Sequence, residues 1–281
     1  MLEYEFMQTA FAASGLVALV AGVVGYFLVL RRQAFAGHAL SHVGFAGATG
    51  AALLGLSPIT GLLCVTLLAS TWMGSMSDRL ERSDVATAAV LSLALGFGML
   101  FLHFYTSYAS EATALLFGNV LAVDRDTLAL LGAIAVLSLL LMAVLARPLI
   151  FASLQPELAE AKGVPMRGIS ILFLGVVALC TAQCIQIVGV LLVFTLMIGP
   201  AASVQQVSSS LMRGVAYSAL LAIGQAWGGL CLAYYTDWPT SFWITALSSL
   251  SYLAASLYSR WQRRQPAASA HEHQHDHGHS H

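Results

Sequence analysis

Along the chain, long apolar runs alternate with short polar breaks, and the runs have helical length. About 20 apolar residues carry a helix across roughly 30 Å of hydrocarbon. Runs of that size cover residues 9–30, 33–55, 58–76, 85–103, 127–146, 168–187, 188–207, 214–235 and 239–258. Lipid offers the backbone no hydrogen-bond partners, so only helices or closed barrels span it, and runs this long are helices. The pattern predicts an all-α polytopic membrane protein with eight to nine crossings. The sixth and seventh runs nearly merge. Residues 115–123 (LLFGNVLAV) are too short to cross and read as an interfacial or re-entrant helix.

Composition narrows the class further. The 281 residues are 58 % hydrophobic and only 9 % charged, far below the roughly 25 % charge of an ordinary soluble domain. The net charge of −1 carries no basic patch and gives no reason to expect a nucleic-acid partner. The N-terminus has Glu3 and Glu5 in place of a basic leader, so the first run is expected to stay as a span. Cys64, Cys180, Cys184 and Cys231 all lie inside apolar runs, where free cysteine behaves as a small hydrophobe, so no disulfide framework is implied.

Basic residues set the expected orientation, because Lys and Arg collect in short cytoplasmic loops. With nine spans, Arg31, Arg32, Arg79, Arg82, Arg147, Lys162, Arg167, Arg213, Arg260, Arg263 and Arg264 fall on one side, which is all of the twelve but Arg125. Arg125 sits between Asp124 and Asp126, and the opposite face otherwise carries Glu3, Glu5, Glu111 and Asp237. The reading is a multi-pass protein of a bacterial inner membrane, N-terminus outside and C-terminus in the cytoplasm. Residues 1–264 form the membrane domain, and residues 265–281 form a polar, His-rich cytoplasmic tail with no apolar face to fold on. No phosphate-cradling Gly-Lys-Ser loop occurs, so any ATP must be hydrolysed by a partner and the chain itself is not an enzyme.

Only His38 and His42, in RRQAFAGHALSHVGFAGATG, are ionisable residues well inside a predicted span. At i and i+4 their side chains stack on one helical face, within reach of a single ion. Neutral imidazole suits zinc, copper, nickel and iron, whereas manganese and magnesium favour carboxylates and water. A hydrogen-bonded structural pair is the alternative, but polar groups at membrane depth mark pathways and sites. Gly37, Gly44, Gly47 and Gly50 with Ala36, Ala39, Ala46 and Ala48 give this span a small-residue surface for close helix approach. Ser41 either supports His42 or bonds back to its own helix.

Weaker candidates lie elsewhere. Cys180 and Cys184 also stack at i, i+4, yet deprotonating two thiols in apolar surroundings is costly, so packing is their expected role. His103, close to the outer end of the fourth span, is a candidate to line an entrance, with an interfacial histidine without function as the default reading, and Glu111 on the same outer side is an equally weak candidate. In the tail, His271, His273, His275, His277, His279 and His281 alternate with polar residues, among them Glu272 and Asp276. That spacing predicts multivalent, exchangeable binding of Zn²⁺ or Ni²⁺. After the fifth span Pro148 and Pro156 are expected to break the chain, with a one- to two-turn helix over 157–162 that stops at Gly163.

These stretches together resemble the ABC-type zinc and manganese permeases, over most of the chain up to about Tyr258. The likeness is carried by HALSHVGFAG, similar to that family's Asp-x-x-Ser/Ala-His element, by QPELAEAKGVP at 155–165, and by VGVLLVFTLMIGPAA at 188–202. The resemblance implies a transient metal site at His38 and His42, with His38 where the family has Asp. It implies an ATPase-docking segment over about 148–167, including Glu157, Ala159 and Gly163. It also implies a second copy of the chain, two cytoplasmic ATPase subunits and an extracytoplasmic metal-binding protein. The transported ion is then Zn²⁺, with no permanently bound cofactor; a manganese or iron importer of the same architecture is the alternative. A proton-coupled transporter would need mid-span carboxylates, which are absent. An intramembrane metalloprotease would need Glu after the first histidine, where Ala39 stands.

Overall fold

The computed structural model describes residues 4–76, 80–104, 115–208 and 210–264. Ten α-helices are described: α1 (Glu5–Leu30), α2 (Ala34–Leu53), α3 (Pro58–Ser75), α4 (Leu80–Phe104), α5 (Arg125–Leu154), α6 (Pro156–Ala161), α7 (Met166–Val188), α8 (Val193–Gln205), α9 (Leu211–Thr236) and α10 (Thr240–Arg264). No strand occurs among the described residues, so the all-α expectation holds. Six of these helices, α1, α3, α4, α5, α7 and α9, are each long and apolar enough to cross a membrane. Small and polar residues dilute α2, serines dilute α10, and α8 has only 13 residues. With these three the described helices of 13 residues or more number nine, consistent with the expected eight to nine crossings.

Side-chain contacts fix which helix ends share a side. Arg31 at the end of α1 donates through Nη2 to Ser170 Oγ near the start of α7 (3.0 Å), and Gln205 at the end of α8 donates to the Tyr26 carbonyl (2.9 Å). At the other end, Arg125 pairs with Glu5 (2.5 Å) and Trp227 Nε1 donates to the Phe11 carbonyl (3.0 Å). There Asp124 caps α5 by accepting the Thr127 N–H at 2.9 Å, and the Thr127 hydrogen bonds hold its carboxyl below the ordinary range.

The middle of the bundle is α1 and α7, each buried along most of its length, while α3, α4 and α5 form the perimeter and expose apolar faces. Lipid is no less apolar than leucine, so tight backbone approach rather than hydrophobic burial drives such packing. The sequence supplies small residues where it happens. A Cβ on Gly25 of α1 would collide with the Met197 carbonyl of α8, and Gly47 of α2 meets Gly61 of α3 backbone to backbone.

Two boundaries differ from the sequence expectation. α5 does not break at Pro148 but continues to Leu154 with the proline inside it. Proline forfeits one hydrogen bond and crowds the preceding turn, yet bundle neighbours re-satisfy the freed groups in membrane helices. The apolar run around it, VLARPLIFASL at 144–154, then carries the helix onward. The seventh run is also shorter than its 20 apolar residues suggested. Gly189 turns the chain at φ 76° and ψ 165°, and α8 begins only at Val193. Residues 115–122 fill the space beside this turn. They do not span, as expected: Val190 N donates to Leu115 O (3.0 Å), Leu191 N to Leu116 O (3.3 Å) and Asn119 N to Gln186 O (3.4 Å). Gly118 and Gly189, both at φ 76°, approach so closely that neither has room for a side chain.

Candidate metal-transfer site

His38 and His42 lie in the first half of α2, counted from the Arg31 end, about 6 and 12 Å along the helix from its first residue at 1.5 Å per residue. Both are half-buried. Their ring centroids are 4.9 Å apart with planes at 86°. Two imidazoles sharing one tetrahedral ion at N–metal distances of about 2.0–2.1 Å have centroids roughly 5 Å apart, so the observed spacing matches a common ion without rearranging the helix. Perpendicular rings also leave their nitrogens free of mutual stacking.

A third aromatic completes the setting. Phe194, in the first turn of α8, stands edge-on to His38 at 5.7 Å and 81°, and Phe35 lies on the other side at 6.5 Å. Edge-to-face contacts of this type hold a ring in one orientation. Sequence reading missed Phe194, because a contact between turns of distant helices leaves no local spacing to detect. Its one available signal was its place just after the glycine that ends α7.

The remaining faces of α2 are used for packing. Gly37 abuts Leu28, Gly44 abuts Ile185, Gly47 abuts Gly61 and Gly50 abuts Phe101. The small-residue surface therefore seats α2 against its neighbours, while the histidine stripe stays half-exposed. Ser41 is fully buried, and its Oγ donates to the His38 carbonyl at 2.7 Å. It thus bonds to its own helix and fixes the backbone beneath the site.

The other candidates are not drawn to this place. Cys180 and Cys184 are buried in α7 with no exposed surface, and nearby Gln183 turns its amide toward Ser138 of α5 (3.5 Å). His103 is exposed at the far end of α4 beside Phe104. Glu111 and the tail histidines His271, His273, His275, His277, His279 and His281 lie outside the described residues. Among the described residues no three His, Cys, Asp or Glu side chains gather into one metal-binding cluster. The candidate site on one chain therefore amounts to two nitrogen donors on an accessible helical face.

The short helix expected after the fifth span is present as α6. Lys162 caps it, Gly163 follows at φ 74°, and Gly163 N to Glu160 O (2.9 Å) with Val164 N to Ala159 O (3.1 Å) close a Schellman turn. Glu157 and Gly163 are exposed, but Ala159 is fully buried and anchors α6 to the bundle. Leu158, which the sequence did not single out, faces outward at 44 % exposure.

Comparison with known proteins agrees with this architecture. Residues 3–259 match the ABC 3 transport family. The manganese transport system membrane protein MntC of Halalkalibacterium halodurans is 27 % identical over 92 % of this chain and 89 % of its own. The manganese import system permease protein ScaB of Streptococcus parasanguinis is 29 % identical over 96 % of both. A chain of PsaBC from Streptococcus pneumoniae, solved in complex with a Fab, superposes with a TM-score of 0.81 at 26 % identity, covering 90 % of this chain and 92 % of that one. The first two are named for manganese, and none of the three for zinc. Matched along almost its whole length, with a bundle of long apolar helices, the chain belongs to the ABC 3 transport family as a multi-pass permease subunit that leaves ATP hydrolysis to a separate protein.

Proposed function

We propose that this chain is the inner-membrane permease of an ATP-driven importer of a divalent first-row transition metal, with manganese the cargo its named relatives favour. The observation that carries a metal role is the His38–His42 pair, 4.9 Å apart and half-buried on one face of α2. A passing ion exchanges water for imidazole there, held loosely enough by two donors to be released. Zinc is the second reading, and one local feature favours it: a pair of nitrogens lacks the hard oxygen that suits Mn²⁺. The N-terminus faces outward and the C-terminus inward, on the evidence of the arginine-rich Arg31 end. Two copies form the pathway, two ATPase subunits dock on α6, and an extracytoplasmic binding protein delivers the ion. The His-rich tail binds metal exchangeably on the cytoplasmic side.

The test is reconstitution of the permease with its ATPase and binding protein in vesicles, followed by ATP-dependent uptake of Mn²⁺ and of Zn²⁺. His38→Ala and His42→Ala are each expected to lower uptake of the cargo at least tenfold at subsaturating metal. Full uptake in both variants removes the assigned site. Loss only on deletion of residues 265–281 moves the chemistry to the tail, and transport of neither ion rejects the metal reading altogether.

A further inference from the structure

We propose that the cavity between α8, α9 and α10 at the Arg31 end of the bundle is a binding site for one anionic phospholipid, whose phosphate is held by Arg213 and Tyr217. The cavity has a volume of about 770 Å³, within the range of small-molecule pockets. Arg213 and Tyr217 both line it and stand at i, i+4 on α9, so their side chains share one face a single turn apart. Neither makes a hydrogen bond or ion pair with a described residue, and no carboxylate lines the cavity. A guanidinium and a phenol with unused donors form a matched pair for a phosphate oxygen cluster.

The remaining wall identifies the source of that phosphate. Val204, Val207, Leu220, Leu221, Ala254 and Ala255 make most of it apolar, with Ser203, Ser208, Ser210 and Ser251 also on its lining, and it opens to the outside of the bundle, where Tyr217 is 54 % and Leu220 64 % exposed. A free phosphate or nucleotide gains nothing from an apolar trough running toward the hydrocarbon. A phospholipid gains both ends, its headgroup at the arginine and an acyl chain along α9 and α10. Basic pockets between membrane helices are recognised headgroup sites for this reason. α8 forms one wall of the cavity and carries Phe194 at its opposite end, so an occupied site braces the helix that touches His38. The lipid inference does not depend on which metal is carried.

The test titrates delipidated full-length permease in detergent with phosphatidylglycerol and reads bound lipid by native mass spectrometry. One lipid per chain is expected to bind preferentially, with phosphatidylcholine weaker. Arg213→Gln should weaken phosphatidylglycerol about fivefold, and Ala255→Leu should weaken both lipids by filling the trough. Arg213 is exposed at the start of α9, so Arg213→Gln keeps the fold, which an unchanged melting curve without lipid verifies. Equal affinity for the two lipids, unaltered binding in Arg213→Gln, or displacement of the lipid by millimolar inorganic phosphate each overturns the assignment.

Discussion

At the scale of single residues, His38 is where chemistry and packing meet. Its ring touches His42, Phe194 and Phe35, so its orientation is set by neighbours while its nitrogens stay available. Replacing it with a carboxylate tests which donor the cargo needs. His38→Asp is expected to raise the ratio of Mn²⁺ to Zn²⁺ uptake several-fold, because a hard oxygen enters the pair; an unchanged ratio in a competitive uptake assay would mean that selectivity is set elsewhere. Phe194→Leu keeps the volume but removes the ring edge, and should raise the half-saturating metal concentration while the maximal rate changes less. The histidine pair was legible in the sequence because its spacing is local. Phe194 was not, because it reaches His38 only after α7 turns at Gly189.

Between residues and the bundle lie the helix ends, where three glycines with positive φ invite a graded comparison. Gly118 and Gly189 face each other with no space for a Cβ, whereas one on Gly163 meets nothing within 4 Å. At Gly189 the φ and ψ of 76° and 165° lie in a region reserved for glycine. Gly189→Ala therefore combines strain with collision and should lower the melting temperature clearly, whereas Gly163→Ala carries only the strain of its φ, about 1–3 kcal/mol. Equal melting shifts for the two would argue against a tight 115–122 segment. The stop at Gly163 was readable because a glycine after a short polar helix has one common meaning. Pro148 was misread because its effect depends on whether surrounding helices hold the turn together, and no single segment records that. Span lengths carried the same ambiguity, since the apolar run at 188–207 contains a backbone reversal with no change in hydrophobicity.

For the whole molecule, the alternation of apolar runs sufficed to give the class, and the distribution of arginines separated the two ends that the Arg31–Ser170 and Glu5–Arg125 contacts then placed apart. Which helices would lie inside was not legible, since α1 and α4 are almost equally apolar yet 72 % and 22 % buried. At this scale the outward-facing side of α6 is the part to alter. Leu158→Asp should weaken co-purification of the ATPase subunit roughly tenfold and uncouple its hydrolysis from uptake, because a carboxylate replaces the exposed apolar contact. An intact complex with normal transport would remove α6 from the docking surface.

Pro148 has a further consequence through the helix that continues past it. Thirty residues make α5 about 45 Å long, against roughly 30 Å of hydrocarbon, so the helix is a post longer than the hydrocarbon alone requires. α6 hangs from that post across the single residue Gln155, with the Lys162 ammonium resting over the Phe151 ring at 5.6 Å. α6 is thus tied to one continuous helix whose far end, at Arg125, meets Glu5 of α1 at the opposite end of the bundle.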